Sequence, residues 1–288
     1  MDVPVESTMG ADHRSAPASQ VSQNSVAGSD SMIIFDHVGK QFFKHGEPMQ
    51  ALEDAHFTVA RGEFVSIVGP SGCGKSTLLN IITGLMKPTS GQARYRGRPV
   101  ASVNTAVGYV TQHDTLLPWR TVRANIAVPL EIRGTGGQRR RDLVDSVIDQ
   151  VGLSGFGDHY PAELSGGMRK RVILARALVY GPESLAMDEP FGALDAQLKL
   201  VLQMELLNLW YESERTILFV THDLAEAVTL SDRVVVMSSR PGRVRAIEEI
   251  DIPRPRDVMK VRFDKRYNEL SHHLWEMIQD DMLEGEDM

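Results

Sequence analysis

The stretch Gly69-Pro70-Ser71-Gly72-Cys73-Gly74-Lys75-Ser76-Thr77 sets an ammonium and two hydroxyls at the end of a glycine-rich turn. It matches the pattern G-x-x-x-x-G-K-[ST] of a phosphate-binding loop. Glycine allows the tight turn and lets backbone N–H groups approach an anion with no Cβ in the way. The start of a following helix adds partial positive charge. In such a loop Lys75 reaches the β- and γ-phosphates of a nucleoside triphosphate, and Ser76 offers its hydroxyl to Mg2+. The competing reading is a glycine-rich turn that binds nothing. The flanks argue against it. Glu63-Phe64-Val65-Ser66-Ile67-Val68 reads as a buried strand, and Thr77-Leu78-Leu79-Asn80-Ile81-Ile82 as the first turns of a helix. Strand, turn and helix are the context the chemistry requires.

Three other places offer related chemistry. Asp188-Glu189 closes the apolar run Ser184-Leu185-Ala186-Met187. A strand sends successive side chains to opposite sides, so Asp188 can face a metal while Glu189 faces an attacking water. Carboxylates at strand ends are also common structural groups, and the pair alone leaves both readings open. Ser165-Gly166-Gly167 opens a long apolar helix and repeats the anion-binding logic of the first loop, although Ser-Gly-Gly is also an ordinary helix cap. Phe42 precedes the loop and has the ring to stack on a purine; taken alone, such a residue is more often core.

The elements that must position these groups can be read from periodicity. Met32-Ile33-Ile34-Phe35-Asp36-His37-Val38 and Ala51-Leu52-Glu53-Asp54-Ala55-His56-Phe57-Thr58-Val59 read as strands before the loop, the second alternating apolar and polar. Together they predict an antiparallel layer. Val107-Gly108-Tyr109-Val110-Thr111-Gln112 reads as a strand with Gln112 at its exit. From about residue 113 to 180 the pattern turns helical, with apolar spacing over residues 139–151. Thr216-Ile217-Leu218-Phe219-Val220 and Val234-Val235-Val236-Met237 are further buried strands, with short helical runs between. Strands alternating with helices imply a mostly parallel sheet covered on both faces.

Composition narrows the class. The chain has 288 residues and a formal net charge of −7, which argues against nucleic acid as a partner. No apolar run approaches the roughly 20 residues of a membrane span. Asp2 and Glu6 lie near Met1 without an apolar core, so the start does not read as a secretory signal, and a cytoplasmic protein is expected. Cys73 is the single cysteine, which excludes an internal disulfide. Its place inside the loop predicts that alkylation blocks nucleotide unless nucleotide protects it. Residues 1–30 read as a disordered tail.

From about residue 32 to residue 252 the chain resembles the ATP-binding subunits of ABC transporters. Residues 69–77 look like Walker A, residues 184–188 like Walker B, and Glu189 like the catalytic carboxylate. Gln112 looks like the Q-loop glutamine and Leu164-Ser165-Gly166-Gly167 like the signature. Ala193-Leu194-Asp195 looks like the D-loop and His222 like the switch histidine. Phe42 then becomes the adenine-stacking aromatic, Phe where Tyr is commoner. Pro118-Trp119-Arg120-Thr121-Val122 and Asp251-Ile252-Pro253-Arg254-Pro255-Arg256 look like the nitrate/sulfonate/taurine importer branch. Met168 after Ser-Gly-Gly suits that branch; Lys170 departs from it, standing where Gln is common.

The resemblance implies an α/β fold with a P-loop NTPase (RecA-like) core, an N-terminal antiparallel β layer and an inserted α-helical subdomain. The ATPase domain would span residues 31–255, followed by a helical extension over 256–288. It implies a head-to-tail dimer with two ATP molecules between subunits, each touching residues 69–77 of one and Leu164, Ser165, Gly166 and Gly167 of the other. Ser76, Asp188 and Gln112 would hold Mg2+, Glu189 would polarise the attacking water, and His222 would contact the γ-phosphate. Transmembrane permease subunits, contacted by residues 112–122, and an extracytoplasmic substrate-binding protein would complete an importer at the cytoplasmic face of the inner membrane. A soluble ABC-type ATPase of translation or DNA repair is the alternative, and a catalytically silent interaction subunit a third. Neither the transported solute nor any regulation is written in this chain.

Overall fold

The computed structural model describes residues 31–192 and 194–286, with side chains to residue 279. The expected tail over residues 1–30 and position 193 lie outside the described residues.

The apolar run before the glycine-rich loop forms β3 (Phe64–Val68), every residue of which is buried. It sits inside a six-stranded sheet with β6 (Val107–Val110), β7 (Ser184–Asp188), β8 (Thr216–Val220), β9 (Arg233–Met237) and β10 (Val244–Glu249). The order is β10-β9-β3-β8-β7-β6. All pairings are parallel except β10 on β9. β3, β7 and β8 are buried along their whole length, as strands covered on both faces must be. Parallel strands also end on one edge together. The loop after β3, Gln112 after β6, Asp188-Glu189 at the end of β7 and His222 after β8 therefore meet at a single sheet edge. Ligand crevices of open α/β sheets form at this edge.

The expected antiparallel layer is present, but its strands are longer than their apolar patterns suggest. β1 (Ser31–Lys44) and β2 (Glu47–Ala60) form one long hairpin. β4 (Ser90–Tyr95) and β5 (Arg98–Pro99) complete the order β2-β1-β4-β5. α1 (Lys75–Ile82) lies between the layers. Its Leu78, Leu79 and Ile82 share a core with Phe35, Leu52 and Phe57 of the hairpin and with Val65 and Ile67 of β3.

The helical insertion consists of α2 (Val122–Ile132), α3 (Gly137–Gln150) and α4 (Gly166–Leu178). Its apolar faces join α5 (Ala196–Ser213) in a second core that runs onto the sheet. α2 starts where Thr121 caps Ala124 N. Behind the cap, buried Asn125 donates to the carbonyls of Leu117, Arg120 and Thr121 and accepts from Leu117 N. One amide thus pins the turn that displays Trp119, which is 72% exposed.

On the far side, α6 (Leu224–Leu230) and α7 (Lys265–Glu286) cover β9. α7 starts later than the helical extension expected from residue 256, because Val261–Phe263 forms a separate 3-10 turn. Tyr267, Leu270 and Leu274 bury against Val228, Val234 and Val236. The last strand ends at Glu249. Beyond it the chain forms an arginine staple. Buried Arg256 donates to the carbonyls of Val228, Thr229, Ser231, Ile250 and Ile252. Burial, with neighbouring Arg254, pulls its pKa down to about 10. Arg254 stacks 4.2 Å from the Trp210 ring centre and donates to Asp232.

Candidate functional site

The glycine-rich loop uses left-handed backbone at Gly69, Gly72 and Gly74 (φ 150°, 77° and 99°). At Gly74 a Cβ would lie 2.4 Å from the Leu52 side chain, so neither conformation nor space admits another residue. Gly74 is also the N-cap of α1 and supplies no side-chain cap. The first N–H groups of a helix have no intrahelical partner, so this helix start is left for an anion. Lys75 Nζ folds back to donate to Gly69 O and Pro70 O, both at 2.8 Å. The ammonium thereby arches the loop around itself.

Ser76 Oγ donates to Asp188 Oδ1 at 3.0 Å, joining α1 to the end of β7. A hydroxyl and a carboxylate form the hard oxygen set that suits Mg2+. Burial pushes the Asp188 carboxyl above its usual range, opposed by the Ser76 hydrogen bond and raised further by neighbouring Glu189. Tyr109 of β6 also bonds Asp188; burial and that carboxylate push its phenol to about 12.

Glu189 is the meeting point. Its Oε2 lies 3.2 Å from Gln112 Nε2, which donates to it, and 3.0 Å from His222 Nδ1. The backbone of Glu189 is left-handed (φ 43°) and its N–H donates to Val220 O. A left-handed non-glycine residue costs on the order of 1–3 kcal/mol, and such residues cluster at functional sites. Here the strain turns a carboxylate out of the strand line and onto Gln112 and His222.

Two anchoring systems hold this group. Gln112 O accepts from Lys170 Nζ at 2.9 Å, Thr115 O accepts from Arg176 Nη1 at 2.8 Å, and Asp114 pairs with Arg169. α4 thus grips the 112–115 segment by three cations. Beside His222, Thr221 Oγ1 donates to buried Glu226 Oε2 at 2.6 Å and accepts from Asp223 N. Lys199 of α5 pairs with Asp223 and Glu226. Tyr109, Lys170, Arg176 and Glu226 have no signal in spacing alone, since each acts through a tertiary contact.

Other predicted residues lie apart from Glu189. Ser165 caps α4, its Oγ accepting from Met168 N at 3.3 Å. Among the described residues it makes no hydrogen bond to residues 69–77. Gly167 packs so closely on α5 that a Cβ would come within 2.7 Å of Leu198. Asp195 caps α5, accepting from Gln197 N and Leu198 N. Phe42 is half-buried on β1 opposite Met49, with Lys40 Nζ 5.4 Å from its ring centre.

The expected reactivity of Cys73 is corrected. Its thiol is wholly buried, 3.7 Å from Lys75 Nζ, and burial pushes its pKa up. Gly242 packs on the backbone of the same residue, where a Cβ would run into Cys73 O. An enclosed, protonated thiol is a poor nucleophile.

Residues 52–192 match the family model described as ABC transporter. The chain is 46% identical over 79% of its length, and 85% of the relative's, to an ABC transporter ATP-binding protein, MJ0412, of Methanocaldococcus jannaschii. It is 44% identical over 83% of its length to the nitrate import ATP-binding protein NrtD of Synechococcus elongatus, covering 88% of that protein. It is 42% identical over 81% of its length to an aliphatic sulfonates import ATP-binding protein, SsuB, of Bacillus cereus, covering 92% of it. Among solved structures, the cassette MJ0796, a dimer in a post-hydrolysis state bound to ADP and Pi, matches with a TM-score of 0.69 and 32% identity. That match covers 77% of this chain and all of the cassette.

Proposed function

The chain belongs to the ABC transporter ATP-binding family, and from that premise we propose that residues 69–77, Gln112, Asp188, Glu189 and His222 form one half of an ATP-hydrolysing site that energises an importer. The convergence of Gln112 and His222 on Glu189 Oε2, beside the Ser76–Asp188 pair, carries this reading.

The protein is an ATPase subunit, and its residues divide the work. The loop amides and Lys75 take the phosphate charge. Ser76, Asp188 and Gln112 would hold Mg2+, which when bound offsets charge on the phosphate oxygens. Glu189 accepts the proton of an attacking water while Gln112 and His222 fix its carboxylate. His222 would also contact the γ-phosphate. Phe42 supplies a face for adenine. Catalysis of this kind is mainly positioning and electrostatic stabilisation.

Leu164, Ser165, Gly166 and Gly167 would meet the nucleotide of a second subunit, with Asp195 nearby. This accounts for a helix start that, among the described residues, makes no bond to the loop of its own chain. No described helix is long and apolar enough to cross a membrane. Transport then requires separate permease subunits, which Trp119 and its pinned turn would contact from the cytoplasmic face of the membrane. The relatives named for nitrate and aliphatic sulfonates support a small anionic solute, delivered by an extracytoplasmic binding protein.

The test is recovery of tagged Glu189→Gln protein from detergent-solubilised native membranes with MgATP. A co-purifying multi-span permease is expected, and its identity narrows the solute. Recovery with ribosomes or nucleic acid would overturn the importer reading and leave only the ATPase chemistry.

A further inference from the structure

Strand pairing in the antiparallel layer builds a second chemical cluster. β1 and β2 pair at Phe35 with Phe57 and next at Val38 with Ala55. Between these pairs β1 carries two residues, Asp36 and His37, against the single His56 of β2. Farther along, Val38 pairs with Ala55 and Lys40 with Leu52, so Glu53 and Asp54 oppose Gly39 alone. These are two adjacent bulges on opposite strands. His37 and Asp54 both take left-handed backbone (φ 53° and 54°). Bulges re-aim side chains and are built features of a sheet.

What they aim is a set of metal-ligating groups. One ligand atom each of Asp36, His37 and His56 falls within 4.8 Å of the others. The two imidazoles lie side by side, centroids 4.5 Å apart and planes 24° apart. Asp54 Oδ1 lies 2.5 Å from His37 Nδ1. A carboxylate on Nδ1 holds the proton there and leaves Nε2 as the lone-pair donor, as metal-bound imidazoles are usually held. Arg94 approaches Asp36 through Oδ2, while His56 faces Oδ1, so the oxygen on the histidine side keeps its lone pairs.

We propose that Asp36, His37 and His56 bind a divalent transition-metal ion of the Zn2+ class, with Asp54 as the carboxylate that orients His37. Two imidazoles and a carboxylate are the donor set such ions prefer, and three protein ligands leave one position for water. The ion would tie β1 to β2 across both bulges. That same hairpin carries Phe42, proposed above as the face for adenine, opposite Met49.

The test is titration of the nucleotide-free full chain with Zn2+ by calorimetry, and with Co2+ by visible absorption, which reports tetrahedral coordination. One ion per chain is expected at this site. His37→Ala/His56→Ala should abolish it, and His272→Ala/His273→Ala should retain it. Asp54→Asn should weaken binding about 10- to 100-fold, the usual effect of losing an orienting partner. Circular dichroism checks the fold, and single His37→Gln and His56→Gln variants replace the double if it unfolds. Absence of binding by the natural chain, or affinity unchanged by the histidine substitutions, would overturn the site. Unchanged affinity in Asp54→Asn would overturn the role of Asp54.

Discussion

Glu189 Oε2 serves Gln112 and His222 at once, so losing the carboxylate charge should cost chemistry and spare binding. Glu189→Gln is expected to lower turnover about 10²- to 10⁴-fold, the range for a positioned general base, while equilibrium ATP binding persists. Rapid phosphate release by this variant would contradict the role. Asp188 predicts a pH dependence. Its carboxyl is raised, chiefly by burial, so on acidification it protonates at a higher pH than an ordinary aspartate. Mg2+-dependent nucleotide binding should therefore fall away above the usual aspartate range. Nucleotide-free stability moves oppositely, because the folded chain holds this proton more tightly than the unfolded one. Asp188→Asn should melt higher than the natural protein at neutral pH, and the two should converge as pH falls. A constant gap across the pH series, read by thermal denaturation, would sink that assignment.

At the scale of elements, the arginines after β10 act as structure. Arg256→Ala would strand five buried carbonyl contacts of residues 228–231 and 250–252. A loss of at least ~3 kcal/mol is expected, since each unsatisfied buried group costs about 1–3 kcal/mol; urea denaturation measures it. The sequence motif Asp251–Arg256 marked this stretch as characteristic without saying what it does, because its partners are carbonyls far away in the chain. The loop, β7 with Asp188-Glu189, β8 and α6 were legible for the opposite reason: strand, turn and helix signals there are local. The hairpin was half legible. Its apolar alternation showed two strands, but bulges interrupt the period at His37 and Asp54, and register depends on the partner strand. The grip of α4 on residues 112–115 was invisible, and Lys170 stood out only as a departure from its relatives' usual Gln.

The whole molecule presents the phosphate loop with Glu189 and the Ser165 cap as separate halves, which a second subunit would unite. ATP-dependent dimerisation is thus expected, strongest in Glu189→Gln. Ser165→Arg should abolish the dimer in sedimentation velocity while leaving single-subunit ATP affinity within a few-fold; a dimer that survives would argue against the signature's role. The turn between β9 and β10 has one more consequence. Gly242 sits on Cys73 O, Arg240 donates to Gly72 O, and Lys75 holds Gly69 O and Pro70 O. The cradle is shelved from outside and propped from within by contacts of the chain itself. Ligands then meet a finished mould, and little ordering entropy is lost when they dock. Association should follow a single exponential with a rate linear in ATP concentration, and the heat capacity change of capture should be small. Conformational work is left for subunit closure, where it can be coupled to transport.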